Sequence, residues 1–289
     1  PCNRTIMAKI VGVHGIAQEF RGSHTISAEW LPSLKDGLKL AGTELQSDTD
    51  FRCAFYGDIF RGKSKAIGIP NYDVNDVDSD WEKELLQSWW QETERLENNH
   101  PNADSLLREK STPKIIQRAL LGLSESRFFG SIAEKLVISY LKQVGGYLHN
   151  RELKQQIQER VIECIGEDTR VLVAHSLGSI VCYETLCQHP EWPIKVFVTL
   201  GSPLGIRQLI FDRLQPSPRN NLGCWPGNVE RWVNIADNGD VVALTKQLNP
   251  LFEGTVEDKL VYNGCEAHDA KRYLTAVETG EAIRSGLID

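Results

Sequence analysis

Residues 171–181 read VLVAHSLGSIV. A short apolar run ends at a serine set between Ala174 and Gly178, and a second apolar stretch follows at once. A run of this length bounded by turn residues fits a fully buried strand, and the residues after it carry a helical pattern. Two readings of Ser176 fit the corner between them. One is a plain helix N-cap, a common use of serine. The other is a nucleophile on a sharp strand-to-helix turn, where only small residues fit on either side. Both put a strand at 170–174 and a helix at 177–188.

Working outward, the pattern predicts a β-branched strand at 9–13 followed by the polar, glycine-bearing loop HGIAQEFRGSH, then a helix at about 26–40 and a strand at 51–56. Beyond Ser176 come a strand at 194–200, a helix from about 204, strands at 229–236 and 259–263, and a closing helix at 269–285. Continuous apolar strands alternating with helices imply an α/β architecture, a doubly wound, mostly parallel sheet of about six strands. The alternation breaks at 58–128. That stretch holds an acidic loop (Asp73, Asp76, Asp78, Asp80), a Trp/Glu-rich helix near 79–98 and the amphipathic piece KIIQRALLGL, with helices following at 130–148 and 151–165. The economical layout is a single domain over 7–289 with a helical, cap-like insertion at 58–128. Ile115, Ile116, Ala119, Leu120 and Leu123 share one face, either packed as an ordinary helix or covering a pocket as a lid.

Composition narrows the function classes. The chain has 289 residues, 41% hydrophobic and 25% charged, an ordinary globular balance. A net charge of −7 with no Lys/Arg block disfavours a nucleic-acid partner. No apolar run reaches the roughly 18 residues of a membrane span. The seven cysteines (Cys2, Cys53, Cys164, Cys182, Cys187, Cys224, Cys265) are scattered and never spaced C-x-x-C. They read as reduced thiols of a cytoplasmic protein, with no disulfide framework and no metal site. Residues 1–6 precede the first strand signal and lack a signal-peptide pattern.

A serine hydroxyl needs a base, and the chain offers seven histidines. His14 and His175 flank the proposed site and are pocket candidates with Gly15. His24, His100, His149 and His189 fall in loops or helices and read as solvated surface. His268, in GCEAHDAKRY after the last strand, lies at the same sheet edge as Ser176. The acid follows the strand at 229–236, where Asp237 and Asp240 compete. Asp240 precedes the apolar pair Val241–Val242, whereas Asp237 suits an Asx turn at the strand end. Asp240 is preferred, giving the chain order Ser, Asp, His. Oxyanion donors are expected from the backbone N–H of Leu177 and of Ile16, beside the bend at Gly15.

With VHGI at 13–16, AHSLG at 174–178, TLGSPLG at 199–205, NGDVVAL at 238–244 and AHDAKRY at 267–273, the chain resembles the α/β-hydrolase superfamily, in its lipase/esterase-like branch. The resemblance implies an α/β-hydrolase fold, no cofactor, and hydrolysis of small-molecule or lipid esters. Ala174 stands where the elbow pattern has glycine. The chain also opens on the HG strand, leaving the sheet fewer strands than the family pattern. Two other classes compete: a catalytically idle binding or scaffold module of the same fold, and a nucleotide-binding sheet. VGVHGIA lacks G-x-G-x-x-G and no acidic residue clearly closes a following strand, which counts against the latter.

Overall fold

The computed structural model describes residues 8–61, 71–97, 112–126 and 134–288. Six parallel strands make one sheet in the order β2-β1-β3-β4-β5-β6. They are β1 Ile10–Val13, β2 Phe51–Ala54, β3 Val171–His175, β4 Val196–Leu200, β5 Arg231–Asp237 and β6 Val256–Val261. The chain moves outward from β1 to β2, then crosses back to β3 on the other side of β1. Winding therefore reverses between β1 and β3, and the crevice at the carboxyl ends of such a pair is where open α/β sheets take ligands.

The strands read as continuous apolar runs because both sheet faces are covered. On β3, Leu172 and Ala174 face one core, while Val171 and Val173 face the other. The second core is closed by α1 (Ser23–Leu40), α7 (Ala270–Thr275) and α8 (Val277–Leu287). The first is covered by α2 (Asp80–Glu97), α3 (Pro113–Glu125), α4 (Glu134–His149), α5 (Arg151–Ile162) and α6 (Leu177–Gln188). The helix α6 is fixed from below by the fully buried Glu184, which accepts from Lys154 Nζ at 2.9 Å and from the Tyr147 hydroxyl at 2.6 Å. Among the described residues no helix is long and apolar enough to cross a membrane.

Three sequence expectations shift. The segment from 204 is not a helix. It folds as turns with one short 3₁₀ piece, Phe211–Arg213, and Gln208 sits at φ +63°. Its apolar residues Leu204, Ile206, Leu209 and Ile210 are buried as a loop packed on the core, which mimics helical spacing. The last strand begins three residues earlier than the 259–263 pattern suggests. Its polar Asp258 accepts from the backbone N–H groups of Leu248 and Asn249, so β6 is a strand with a polar load. The closing helix is broken at Ala276 (φ −63°, ψ 139°). The Thr279 hydroxyl caps the Tyr273 carbonyl at 2.6 Å, and Gly280 packs against the Gly37 backbone, where any Cβ would collide.

The amphipathic face in the insertion is spent on packing. Ile116, Ala119, Leu120 and Leu123 of α3 are buried, and the helix lies against α2 and α4. The expected stretches 62–70, 98–111 and 127–133 lie outside the described residues.

Candidate active site

Ser176 leaves β3 at φ 53°, ψ −127°, a conformation that costs an L-residue of order 1–3 kcal/mol. Neighbouring backbone enforces it. The Ser176 N–H donates to the Leu200 carbonyl at 3.0 Å, tying the corner to the end of β4. Gly178 presses so close to the carbonyls of Val13 and His14 that a Cβ would come within 2.5 Å of both. The Ser176 side chain makes no capping hydrogen bond to α6, so its hydroxyl does not serve as an N-cap.

The hydroxyl instead meets His268, whose Nε2 lies 3.0 Å from Oγ. The other ring nitrogen, Nδ1, lies 2.7 Å from Asp240 Oδ2. With Asp240 ionised, Nδ1 carries the proton and Nε2 presents its lone pair to the serine. The carboxylate is fully buried, and three more donors hold it: the N–H groups of Val242 at 2.9 Å and Ala243 at 3.3 Å on Oδ1, and the Tyr273 hydroxyl at 2.8 Å on Oδ2. Burial alone would push this carboxyl up. The charge and hydrogen bond of His268, with Lys246 and Tyr273, outweigh it and hold Asp240 below the usual carboxylate range. The Lys246 amine donates to the Asp240 carbonyl, pinning the loop from the main-chain side.

Asp237 does the other job. Its Oδ1 accepts from the Gly239 N–H at 2.6 Å, an Asx turn, and its second oxygen accepts from the Asn263 N–H. The structure therefore brings Ser176, His268 and Asp240 into one line and leaves Asp237 in the loop scaffold.

The two flanking histidines are buried and neutral. Desolvation drives His175 down to about 3, helped by the nearby His268 charge, and His14 down to about 4. His175 donates from Nε2 to the His268 carbonyl at 2.8 Å, with the two rings 4.6 Å apart. His14 donates from Nδ1 to the Gly15 carbonyl at 2.7 Å and accepts from the Tyr56 N–H at 3.1 Å. Both thus brace loops around Ser176. Gly15 lies directly over the corner: a Cβ there would stand 2.6 Å from Ser176 Cβ.

Leu177 is the first residue of α6, so its N–H has no acceptor within the helix. The loop bearing Ile16 is shaped by Ala17, at φ +65°, whose N–H donates to Gln143 Oε1 of α4 at 3.1 Å. Gly15 and Ile16 of that loop both line the cavity in front of Ser176. The cavity measures about 390 Å³, with an apolar wall of Trp30, Tyr140, Val241 and Val242 and an Arg21–Glu29 ion pair at its rim. None of the described residues of the insertion lines it; the lid reading of Leu120 and Leu123 gives way to ordinary helix packing.

Three contributors were not singled out in the sequence. Gly201, at φ +53°, leaves room where a Cβ would meet Asp240 Oδ2 at 2.6 Å and His268 Nδ1 at 3.1 Å. Tyr273 and Gln143 are the others, reaching the site from α7 and α4. Of these, Gly201 and Tyr273 fall within runs quoted above, TLGSPLG and AHDAKRY, while Gln143 carried no local signal. His149 and His189 lie elsewhere, one packed edge-on to Trp81 and the other paired with Glu191, and His100 is outside the described residues. Among the described residues no group of three or more His, Cys, Asp or Glu is placed to hold a metal ion. No family model, curated protein or solved structure matches the chain.

Proposed function

We propose that the chain is a serine hydrolase of carboxylic esters, acting through an acyl-enzyme. One observation carries the reading: the unbroken line Asp240–His268–Ser176, at 2.7 and 3.0 Å, ending on a serine whose backbone is strained and whose hydroxyl caps nothing. The Ser176 Oγ attacks the ester carbonyl as its proton passes to His268 Nε2. The C–O bond to the alcohol then breaks, and the departing oxygen takes that proton. Water repeats the sequence and frees the acid. Asp240 stabilises the imidazolium formed in between, and the N–H groups of Ile16 and Leu177 receive the oxyanion. The wall of Trp30, Tyr140, Val241 and Val242 suits an apolar acyl group, small-molecule or lipid in origin. The reading sets the enzyme in the cytoplasm, supported by its scattered cysteines, of which the six among the described residues are unbridged.

Fluorophosphonate labelling with peptide mapping, followed by p-nitrophenyl esters of graded acyl length, tests it. Label on Ser176, lost in Ser176→Ala together with about 10⁴-fold or more of turnover, is expected. A folded wild type that takes no label and cleaves no ester would instead favour a binding module.

A further inference from the structure

On the far side of α6 from its serine end, two sulfurs separated by 37 residues face each other. Cys187 Sγ, in the last turn of α6, lies 3.5 Å from Cys224 Sγ. Both are partly exposed, whereas Cys53, Cys164 and Cys182 are buried and Cys265 is exposed at the cavity. We propose that Cys187 and Cys224 form a reversible disulfide, a modification site independent of the ester chemistry.

Three features support it. The supports on both sides are firm. Tyr183, one turn before Cys187, donates its hydroxyl to the Cys224 carbonyl at 3.0 Å, and Gly223 packs against the Phe252 ring so tightly that a Cβ would stand 2.5 Å from it. Pairing has to close the gap only from 3.5 Å to the roughly 2 Å of an S–S bond. The reactivity is also split. The hydrogen bond from Cys187 holds the Cys224 thiol below its usual range, against the upward push of burial, while Tyr183, with its hydroxyl 3.4 Å from the sulfur, works in the same direction. Cys187 is pushed up, so one member is the attacking thiolate and the other the resolving thiol. Finally, among the described residues no third sulfur lies within hydrogen-bonding distance of the pair.

With hydrogen peroxide as oxidant, the Cys224 thiolate attacks one peroxide oxygen, the O–O bond breaks, and Cys224 becomes a sulfenic acid as hydroxide leaves. Cys187 then attacks that sulfur, its proton and the departing hydroxide forming water, and the S–S bond closes. Two thiols lose two electrons and two protons, and the peroxide leaves as two waters. A thiol reductant reverses the bond by exchange.

The test is brief hydrogen peroxide treatment of the full chain, followed by non-reducing peptide mapping and intact mass. The expected product is one Cys187–Cys224 linked peptide, with the protein lighter by two hydrogen atoms and restored by dithiothreitol. Cys187→Ser should stop at a sulfenic acid on Cys224 that dimedone traps. A disulfide involving any other cysteine, or oxidation of Cys224 straight to the sulfinic acid in wild type, overturns the proposal. Absence of a dimedone adduct in Cys187→Ser overturns the assignment of Cys224 as the attacking thiol.

Discussion

Tyr273 and Asp240 are joined by a 2.8 Å hydrogen bond that lands on the same carboxylate oxygen, Oδ2, that faces His268. The hydroxyl also accepts from the Asp237 N–H at 2.9 Å, so one phenol ties the acid of the proposed triad to the end of β5.

Tyr273→Phe should therefore lower kcat by about tenfold with little change in KM. Losing a hydrogen bond to a charged group costs about 1.5–3 kcal/mol, part of which reaches the orientation of His268. Removing this donor also lets the Asp240 carboxyl rise. An unchanged kcat in a variant of normal melting temperature would reduce the tyrosine to packing.

Asp240→Asn should cost on the order of 10⁴ in kcat/KM on any ester the wild type cleaves, because the amide can donate to His268 and favour the wrong tautomer. Asp237→Asn keeps an oxygen for the Gly239 N–H and should stay within about tenfold of wild type. The reverse ranking would move the acid to Asp237.

Gly15→Ala puts a methyl 2.6 Å from Ser176 Cβ. The loop must shift away, taking the Ile16 N–H with it, and a misplacement near 1 Å costs about 100-fold. Fluorophosphonate labelling should slow in step with turnover while circular dichroism is unchanged. Full-rate labelling would show that the loop has another way to yield.

Stability should fall on mild acidification. Burial holds His175 and His14 at about 3 and about 4, against about 6.5 in an unfolded chain. Below about pH 6.5 the unfolded state binds protons that the native state refuses, so folding loses free energy as the pH falls. Between about pH 6.5 and 5, above the range where most carboxylates titrate, the pair should remove about 3 kcal/mol. Urea unfolding across that window measures it; a flat profile would mean that one or both rings ionise in the folded state.

Much of this arrangement was legible in the chain. VLVAH and VFVTL read as buried parallel strands because apolar residues fill them almost without alternation, and all ten positions are buried between the layers of helices on the two faces of the sheet. Ser176, Asp240 and His268 stood out because each follows a strand and lands on one edge. Residues that act across sequence distance were not legible. Gln143 braces Ala17 from 126 residues away, and Tyr273 sat inside an apparently continuous closing helix whose break depends on Gly280 docking on Gly37. The segment after 204 misled for a related reason, since a loop packed on a core buries apolar residues at irregular intervals that can imitate a helix. The Cys187–Cys224 approach has no local signature, because the meeting of a helix end and a returning loop is set by the fold.

The backbone angles at Ser176 have an evolutionary consequence. Glycine would sit in that corner more comfortably than serine, so selection for folding alone favours deleting the hydroxyl. A domain holds only about 5–15 kcal/mol of net stability, and the corner forgoes of order 1–3 of it. A library of variants screened only for thermostability should therefore drift toward Ser176→Gly, discarding the serine first. Screens on this protein need an activity gate for that reason, and the temperature gained at position 176 would measure how much the chain gives up to keep its hydroxyl.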